Sequence, residues 1–171
     1  MKKLKYIIFL LVVLGAASCK QDELKDIGPA RQVISAMKGN WSLNSVIQVD
    51  EYAKDKQFPF TTVELTDLYP YREAKLTLNT TEDHKPSTFS ISFGNSPKFL
   101  KLTQGNWTVD NNDAPKTMTL TSGTTTDQIT IGKYGLLDQG QLLLSVKKYQ
   151  VGSKGERTLV LSNNYYFKKA N

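Results

Sequence analysis

The stretch Gly39-Asn40-Trp41-Ser42-Leu43-Asn44-Ser45-Val46-Ile47-Gln48-Val49 carries the pattern that decides the fold. Successive side chains of a β-strand point to opposite faces of the sheet, so residues two apart share a face. One face would hold a mostly apolar set, Trp41, Leu43, Ser45, Ile47 and Val49. The other face would hold Ser42, Asn44, Val46 and Gln48. The pattern predicts a strand with one face more deeply buried than the other.

A short helix is predicted immediately before this strand. Pro29 can serve as its first residue, because the N–H that proline lacks would have no partner in the first turn of a helix. Val33, Ile34 and Met37 then fall on one helical face, and Gly39 could end the helix in the left-handed conformation. We expect about two to three turns, and no other helix in the domain.

Short runs of strand-forming residues, separated by turns, occupy the rest of the chain. Residues 50–60 are charged and contain Pro59, which predicts a loop. The strands predicted after this loop are 61–69, 71–78, 89–93, 99–102, 107–109, 117–121, 128–133, 141–151 and 157–168. Such turns are too short to hold the crossover helices that parallel strands need. The sequence therefore predicts an all-β domain of about eight to ten antiparallel strands, as a barrel or a sandwich.

The helix, the Gly39-Asn40-Trp41 opening and the following hairpins resemble the lipocalin-like (calycin) barrels, over residues 30–171. The resemblance implies a single antiparallel up-and-down barrel. In that family the tryptophan plugs the closed end and packs against an arginine near the last strand, which would be Arg157. A second Gly-Asn-Trp ends in Trp107, and we interpret it as a chance recurrence. Both tryptophans are expected to be core residues.

The first residues have the layout of a secretory signal. A positively charged start (Lys2, Lys3 and Lys5) precedes an apolar run over 6–14, and small residues follow. As a helix, about ten apolar residues would cross only half of a ~30 Å hydrocarbon core. We therefore expect residues 1–18 to be an export signal that is removed, and not a membrane span.

The residues before Cys19 resemble the lipobox of bacterial lipoproteins, and Cys19 is the only cysteine. The resemblance implies that Cys19 becomes the first mature residue and receives acyl chains such as palmitate, with residues 19–29 as a lipidated tether. Asp22 and Glu23 look like the acidic signal that sends Bacteroidota lipoproteins to the cell surface. The whole chain is similar to the small lipocalin-like outer-membrane lipoproteins of that group, so a lipid-anchored, surface-exposed position on the outer membrane is expected.

The composition suits one domain of ordinary size. About 150 residues would follow the signal, enough for a real core. The formal charge is +6 for the whole chain, and three of the lysines would leave with the signal. The remaining charge is mild and scattered, which argues against nucleic acid as a partner. A single cysteine excludes an intramolecular disulfide, and nothing in the sequence predicts an oligomeric state.

A search for catalytic or metal-binding patterns predicts no enzyme and no cofactor. His84 is the only histidine and stands in a polar loop without other ligands at metal spacing. Residues 110–113 resemble the start of a calcium loop, but Ala114 and Pro115 follow, so a hairpin turn is favoured. Residues 152–155 are one residue short of the nucleophile elbow of serine hydrolases. We expect no catalytic and no metal-binding residues.

Two functions remain open, of which the sequence favours the first and keeps the second as the alternative. The first is a binding module that holds a small apolar ligand inside the barrel, with Phe89, Ile91 and Phe93 facing inward. The ligand-binding residues themselves cannot be named from the sequence. The second is an accessory protein with a filled barrel that binds an envelope protein or a glycan through its loops. The aromatic segment 58–71 and the pair Tyr165 and Tyr166, expected to be exposed, are the observations that support this alternative.

Overall fold

The computed structural model describes residues 32–170. Its elements in chain order are α1 (Val33–Met37), β1 (Gly39–Asp50), α2 (Glu51–Asp55), β2 (Thr62–Glu64), β3 (Lys75–Thr80), β4 (Pro86–Ser92), β5 (Gln104–Val109), β6 (Thr117–Ser122), β7 (Thr125–Ile131), β8 (Gln141–Val151) and β9 (Arg157–Lys169). Two 3-10 helices, Tyr71–Glu73 and Tyr134–Gln139, precede β3 and β8. The Cys19 lipidation site, the export signal 1–18 and the tether 19–29 lie outside the described residues.

The strands form one antiparallel up-and-down barrel. Each strand from β3 to β9 pairs with its neighbour in the chain, and β1 pairs with both β3 and β9, which closes the sheet. Eight strands make the wall, and β2 is an additional strand on the edge of β1 beyond β3. The predicted all-β fold and the strand number are confirmed, and the architecture is consistent with a lipocalin-like barrel.

The first strand confirms the period-two pattern only as far as Leu43. Pairing with β9 runs from Trp41 to Leu43 and resumes at Ser45, so Asn44 forms a β-bulge. An extra residue in one strand shifts every later side chain to the opposite face. Val46 is consequently fully buried in the barrel core, whereas Ile47 is only half-buried. Beyond the bulge the predicted faces were therefore wrong for Val46 and Ile47, whereas Val49 is buried as predicted, although outside the barrel core cluster.

The hairpin connections alternate between the two ends of the barrel. The end that carries α1 also carries the β3–β4, β5–β6 and β7–β8 connections, and is called the closed end. Trp41 plugs it: its indole Nε1 donates a hydrogen bond to the carbonyl of Met37, at 2.9 Å. Trp41 and Trp107 are both buried, as predicted. The other end, called the mouth, carries the β1–β3, β4–β5, β6–β7 and β8–β9 connections.

The cation that lies beside Trp41 is not the predicted Arg157. Arg157 begins β9 at the mouth, where its guanidinium lies 4.6 Å from the ring centre of Tyr149. Lys169, at the other end of the same strand, places its Nζ 5.5 Å from the ring centre of Trp41. The arginine position implied by the family resemblance is thus occupied by a lysine, twelve residues farther along the sequence than expected.

Several helix and strand predictions also need correction. The helix predicted from Pro29 to Gly39 is described only from Val33, and its three apolar residues are buried as expected. Gly39 has φ +133°, which a residue with a side chain rarely adopts, but it opens β1 and does not end the helix in the left-handed conformation. A second α-helix, α2, lies in the predicted loop 50–60.

Of the predicted strand 61–69, only Thr62–Glu64 is a strand, and 99–102 is not a strand. No helix in residues 32–170 has the length and apolar character needed to cross a bilayer.

Candidate interaction surface

Aromatic side chains fill the interior of the barrel near the mouth. The ring of Phe99 stacks on that of Tyr165 with centroids 4.0 Å apart, and meets Phe93 edge-on at 5.1 Å. Tyr71 meets Tyr165 at 6.4 Å. The predicted inward-facing residues Phe89, Ile91 and Phe93 are all buried. Tyr165 is 2% exposed, so its predicted surface position was wrong, while Tyr166 is half-buried.

The β4–β5 connection, residues 93–103, brings Phe99 into the mouth. The carboxylate of Asp127 accepts hydrogen bonds from the backbone N–H groups of Lys101 and Leu102, at 2.7 and 3.0 Å. Leu100 and Leu102 are buried in the same core cluster. The apolar residues in 99–102 that predicted a strand therefore form a plug across the mouth of the barrel.

The phenols under this plug are held neutral. Burial raises the pKa of Tyr165 above its ordinary value of 10.0, and the neighbouring Tyr71 raises it further, while a hydrogen bond with Asn163 opposes the rise. Burial also raises the pKa of Tyr71, with an additional contribution from Tyr69. A neutral, packed interior offers neither a charged group nor an ionisable base to a bound molecule near neutral pH.

Exposed apolar side chains concentrate in the segment that connects β1 to β3. Among residues 32–170, eight large apolar side chains are exposed, and six of them belong to this segment. Phe60 is 90% exposed and Leu68 is 65% exposed. We call the six residues the aromatic platform: Tyr52, Phe58, Phe60, Val63, Leu68 and Tyr69. Exposed aromatic and aliphatic side chains gathered in one surface connection are typical of an interaction site.

The backbone of this segment is fixed to β1 at several points. Asp50 caps α2, because its carboxylate accepts from the N–H of Ala53 at 2.8 Å. The N–H of Asp50 in turn donates to the carbonyl of Thr61, at 2.8 Å. The hydroxyl of Thr66, which is buried, accepts from the N–H of Val46 at 2.8 Å. These bonds fix the backbone of the platform segment, which limits the conformational entropy that would be lost when a partner binds.

The second half of the segment is joined to the mouth plug. Glu73 accepts hydrogen bonds from the backbone and side-chain nitrogens of Asn95, at 2.7 and 3.0 Å. Tyr69 packs edge-on against Tyr71 at 5.9 Å, which connects the platform to the buried aromatic rings. Arg72 and Asp67 form an exposed ion pair beside it. The platform segment is therefore connected to the mouth plug through Glu73 and to the buried aromatic rings through Tyr71.

Two outer grooves flank the platform. One, of about 610 Å³, lies between α2 and the start of β9 and includes Tyr52 and Leu159. The other, of about 460 Å³, is formed by residues 66–73 and includes Leu68 and Tyr69. Concave surfaces beside exposed aromatic side chains give a partner both pockets and anchors.

The residues that suggested chemistry in the sequence lie apart. His84 is exposed in the β3–β4 turn at the closed end. Residues 152–155 form the β8–β9 turn at the mouth. Within residues 32–170, no three His, Cys, Asp or Glu side chains come together in a way that could hold a metal ion.

The predicted calcium-like sequence is a hairpin turn, as favoured. One carboxylate oxygen of Asp110 accepts from the N–H groups of Asn111, Lys116 and Thr117, at 3.1, 2.9 and 3.0 Å. The bond from Thr117 is the largest cause that lowers the pKa of Asp110; desolvation opposes it, and the bonds from Lys116 and Asn111 add to the lowering. The oxygen is thus used in shaping the β5–β6 turn.

Compared with known proteins, the chain matches no family model and no curated protein sequence. The proposed binding function therefore rests on the geometry of the described residues alone.

Proposed function

We propose that this chain is a lipid-anchored, non-enzymatic protein of the cell envelope that binds a partner protein through its aromatic platform. The filled barrel serves as a rigid scaffold for that surface. One observation carries the proposal: the large apolar side chains left exposed within residues 32–170 gather in the single connection between β1 and β3. The barrel, with its buried core, would hold this connection and its exposed side chains in place.

The packing of the mouth favours this function over storage of a small apolar ligand. An eight-stranded barrel has room for one small ligand or for its own side chains. Here Phe99, Tyr165 and Phe93 occupy the space below the mouth in direct ring contact. A ligand entering from this end would first have to displace Phe99 and break the backbone bonds that Asp127 makes to the plug.

The chemistry of the platform favours a protein as the partner. Phenylalanine, tyrosine and leucine side chains gain about 1.5–3 kcal/mol each on full burial, and aromatic residues are enriched at the centres of protein interfaces. Phe58, Phe60 and Leu68 provide no hydrogen-bonding side-chain group, and only Tyr52 and Tyr69 of the platform carry a hydroxyl. The apolar character of these three side chains therefore supports a partner with an apolar pocket or groove.

The lipid anchor is proposed on the sequence around Cys19. Two or more acyl chains hold a protein stably at a membrane, whereas one myristoyl chain holds it only marginally. The described chain begins beside the closed end of the barrel, and the platform lies toward the mouth.

Affinity capture with the full-length, membrane-isolated protein tests the platform. We expect a defined envelope protein to be recovered by the wild type and lost with Phe60→Ser combined with Leu68→Ser. The matched control is Tyr149→Ser combined with Val151→Ser, which removes the two exposed apolar side chains outside the platform. Unchanged recovery with the platform variant would overturn the proposal, as would recovery of a glycan or of bare lipid vesicles by the wild type.

A further inference from the structure

The barrel wall is open along part of the seam between β7 and β8. The two strands pair only at Thr130 with Ser145 and at Ile131 with Leu144, next to a backbone bond from Gly132 to Leu143 at 2.8 Å. Toward the mouth, β7 extends back to Thr125 and β8 extends on to Val151 without pairing with each other. The same part of β8 is paired with β9 as far as Val151.

Within residues 32–170, the open part of β8 has no strand paired to the edge that faces β7. In an antiparallel pair, every second residue turns its N–H and C=O toward the same neighbour. Because Leu143 bonds to Gly132 across this seam, the residues of β8 that turn toward β7 are Ser145, Lys147, Tyr149 and Val151. The last three lie beyond the point where the pairing with β7 stops.

This edge is held in position by the core. Ile129 on β7 is 2% exposed, and Val146 on β8 packs against the core cluster, so the two strands are anchored at the start of the open part. The bulge in the β8–β9 ladder, at Val160, belongs to β9 and leaves the alternation along β8 intact. The backbone of this edge already has the extended conformation of a strand, so little of it would have to become ordered when another strand pairs with it.

A groove of about 350 Å³ runs along the outer side of the seam. The cations of Lys147 and Arg157 line it, and Arg157 is held over the ring of Tyr149. The hydroxyl groups of Thr117, Thr130 and Ser145 line the rest, and its described lining includes no carboxylate. The groove therefore favours an extended segment that carries negative charge on one face.

We propose that an extended acidic segment of a partner protein adds to the free edge of β8 as an extra strand. Its backbone would bond to Lys147, Tyr149 and Val151, and its carboxylates would face Lys147 and Arg157. This is the strand-addition mode of peptide recognition, in which main-chain bonds give affinity and alternate side chains give specificity. A second copy of this chain is disfavoured, because its β8 edge carries the same cations, Lys147 and Lys148, and no carboxylate between Ser145 and Val151 to complement them.

The test uses the mature full-length protein in detergent and the peptide acetyl-Val-Glu-Val-Glu-Val-Glu-Thr-amide. We expect saturable binding by titration calorimetry, with amide hydrogen exchange slowed at Lys147 and Tyr149. The same peptide with alternate backbone nitrogens methylated should not bind, because it cannot form the ladder. Lys147→Glu should weaken binding about tenfold, whereas Lys75→Glu, an equal charge change on β3, should have little effect.

Three results would overturn the proposal. They are no binding of the acidic peptide, equal binding of the methylated peptide, and protection at amides away from β8. Absence of binding would mean that Lys147 and Lys148 only guard the edge against aggregation, a common use of lysine on edge strands. The Phe60→Ser variant should bind the peptide normally, because this site is independent of the aromatic platform.

Discussion

At the scale of single residues, Phe99 determines what the barrel can hold. Its ring contacts Tyr165, Phe93 and, at 6.5 Å, Phe167, which places it at the centre of the mouth packing. The sequence predicted that Phe89, Ile91 and Phe93 would face inward, because their alternation is local. It did not predict that Phe99 would be inserted from a loop, because that depends on contacts with residues more than sixty positions away.

Truncation of Phe99 should open a cavity in the mouth. Phe99→Ala is expected to lower the free energy of unfolding by about 2–4 kcal/mol, since the ring is partly buried and its neighbours can only partly collapse. Urea unfolding followed by tryptophan fluorescence measures the change. Phe60→Ala is the control, and should change the stability by less than about 0.5 kcal/mol because Phe60 is 90% exposed. Equal effects of the two substitutions would contradict the packing described here.

Tyr165 gives a prediction for alkaline pH. Its pKa in the folded protein is raised above 10.0 by burial, so the unfolded chain loses the phenolic proton first as the pH rises. The stability contributed by the neutral phenol is fully present below about pH 10 and declines above it. Tyr165→Phe keeps the ring without the proton. The wild type should lose stability relative to this variant between about pH 9.5 and 11, in urea titrations, and parallel curves would contradict the burial of the phenol.

At the scale of elements, β1 shows where sequence patterns stop being sufficient. The alternation from Trp41 predicted the strand and its buried face as far as Leu43. The bulge at Asn44 then reversed the faces, because the register with β9 requires one extra residue on β1. The sequence likewise could not predict where the pairing between β7 and β8 stops, since the length of a ladder is set by the twist of the whole sheet.

The burial of Tyr165, in contrast, could have been predicted. Tyr165 shares a face of β9 with Phe167, and stricter use of the alternation could have placed it inside.

Paired aspartate substitutions test the bulge. Val46→Asp should prevent folding or cost at least about 3 kcal/mol, because it would bury an unpaired charge in the core. Ile47→Asp should give a folded protein by circular dichroism, since Ile47 faces away from the core and is half-buried. The reverse outcome would show that the unbroken alternation in the sequence describes β1 correctly.

Thr66 provides a buried side-chain connection between the platform segment and β1, beside the β1–β2 ladder. Thr66→Val removes the acceptor of the N–H of Val46 while keeping the shape of the side chain. We expect a loss of about 1–3 kcal/mol in the free energy of unfolding, because a buried donor is left without a partner. Thr62→Val, at an exposed position of β2, is the matched control for the denaturant titration. A loss no larger than that of the control would mean that the segment is not held by this bond.

At the scale of the whole molecule, the two ends of the barrel differ in structure. The closed end is plugged by Trp41 and joined to α1, while the mouth carries the filled interior, the platform and the open part of the β8 edge. The spacing of strands and turns predicted an all-β barrel or sandwich, and the resemblance around Trp41 favoured the barrel. Segment 58–71 supported only the alternative function, an accessory protein that binds a partner. The sequence left the choice between an open and a filled interior undecided, because that choice depends on how distant side chains meet.

The proposed anchor makes a prediction about the intact cell envelope. Cys19→Ser removes the only thiol and should leave the protein without acyl chains. Fractionation should then move it from the membrane to the soluble envelope fraction. Lys20→Ser is the control and should remain with the membrane. Normal membrane retention of the Cys19 variant would contradict lipid attachment at this residue.

Native mass spectrometry of the full-length Cys19→Ser protein, isolated without detergent, tests the central claim most directly. If side chains fill the barrel, the spectrum should contain the polypeptide mass alone, and only Phe99→Ala should take up a small apolar probe such as a benzene derivative. One tightly bound apolar molecule per wild-type chain would contradict the account, because it would mean that the mouth opens and that the barrel is a carrier.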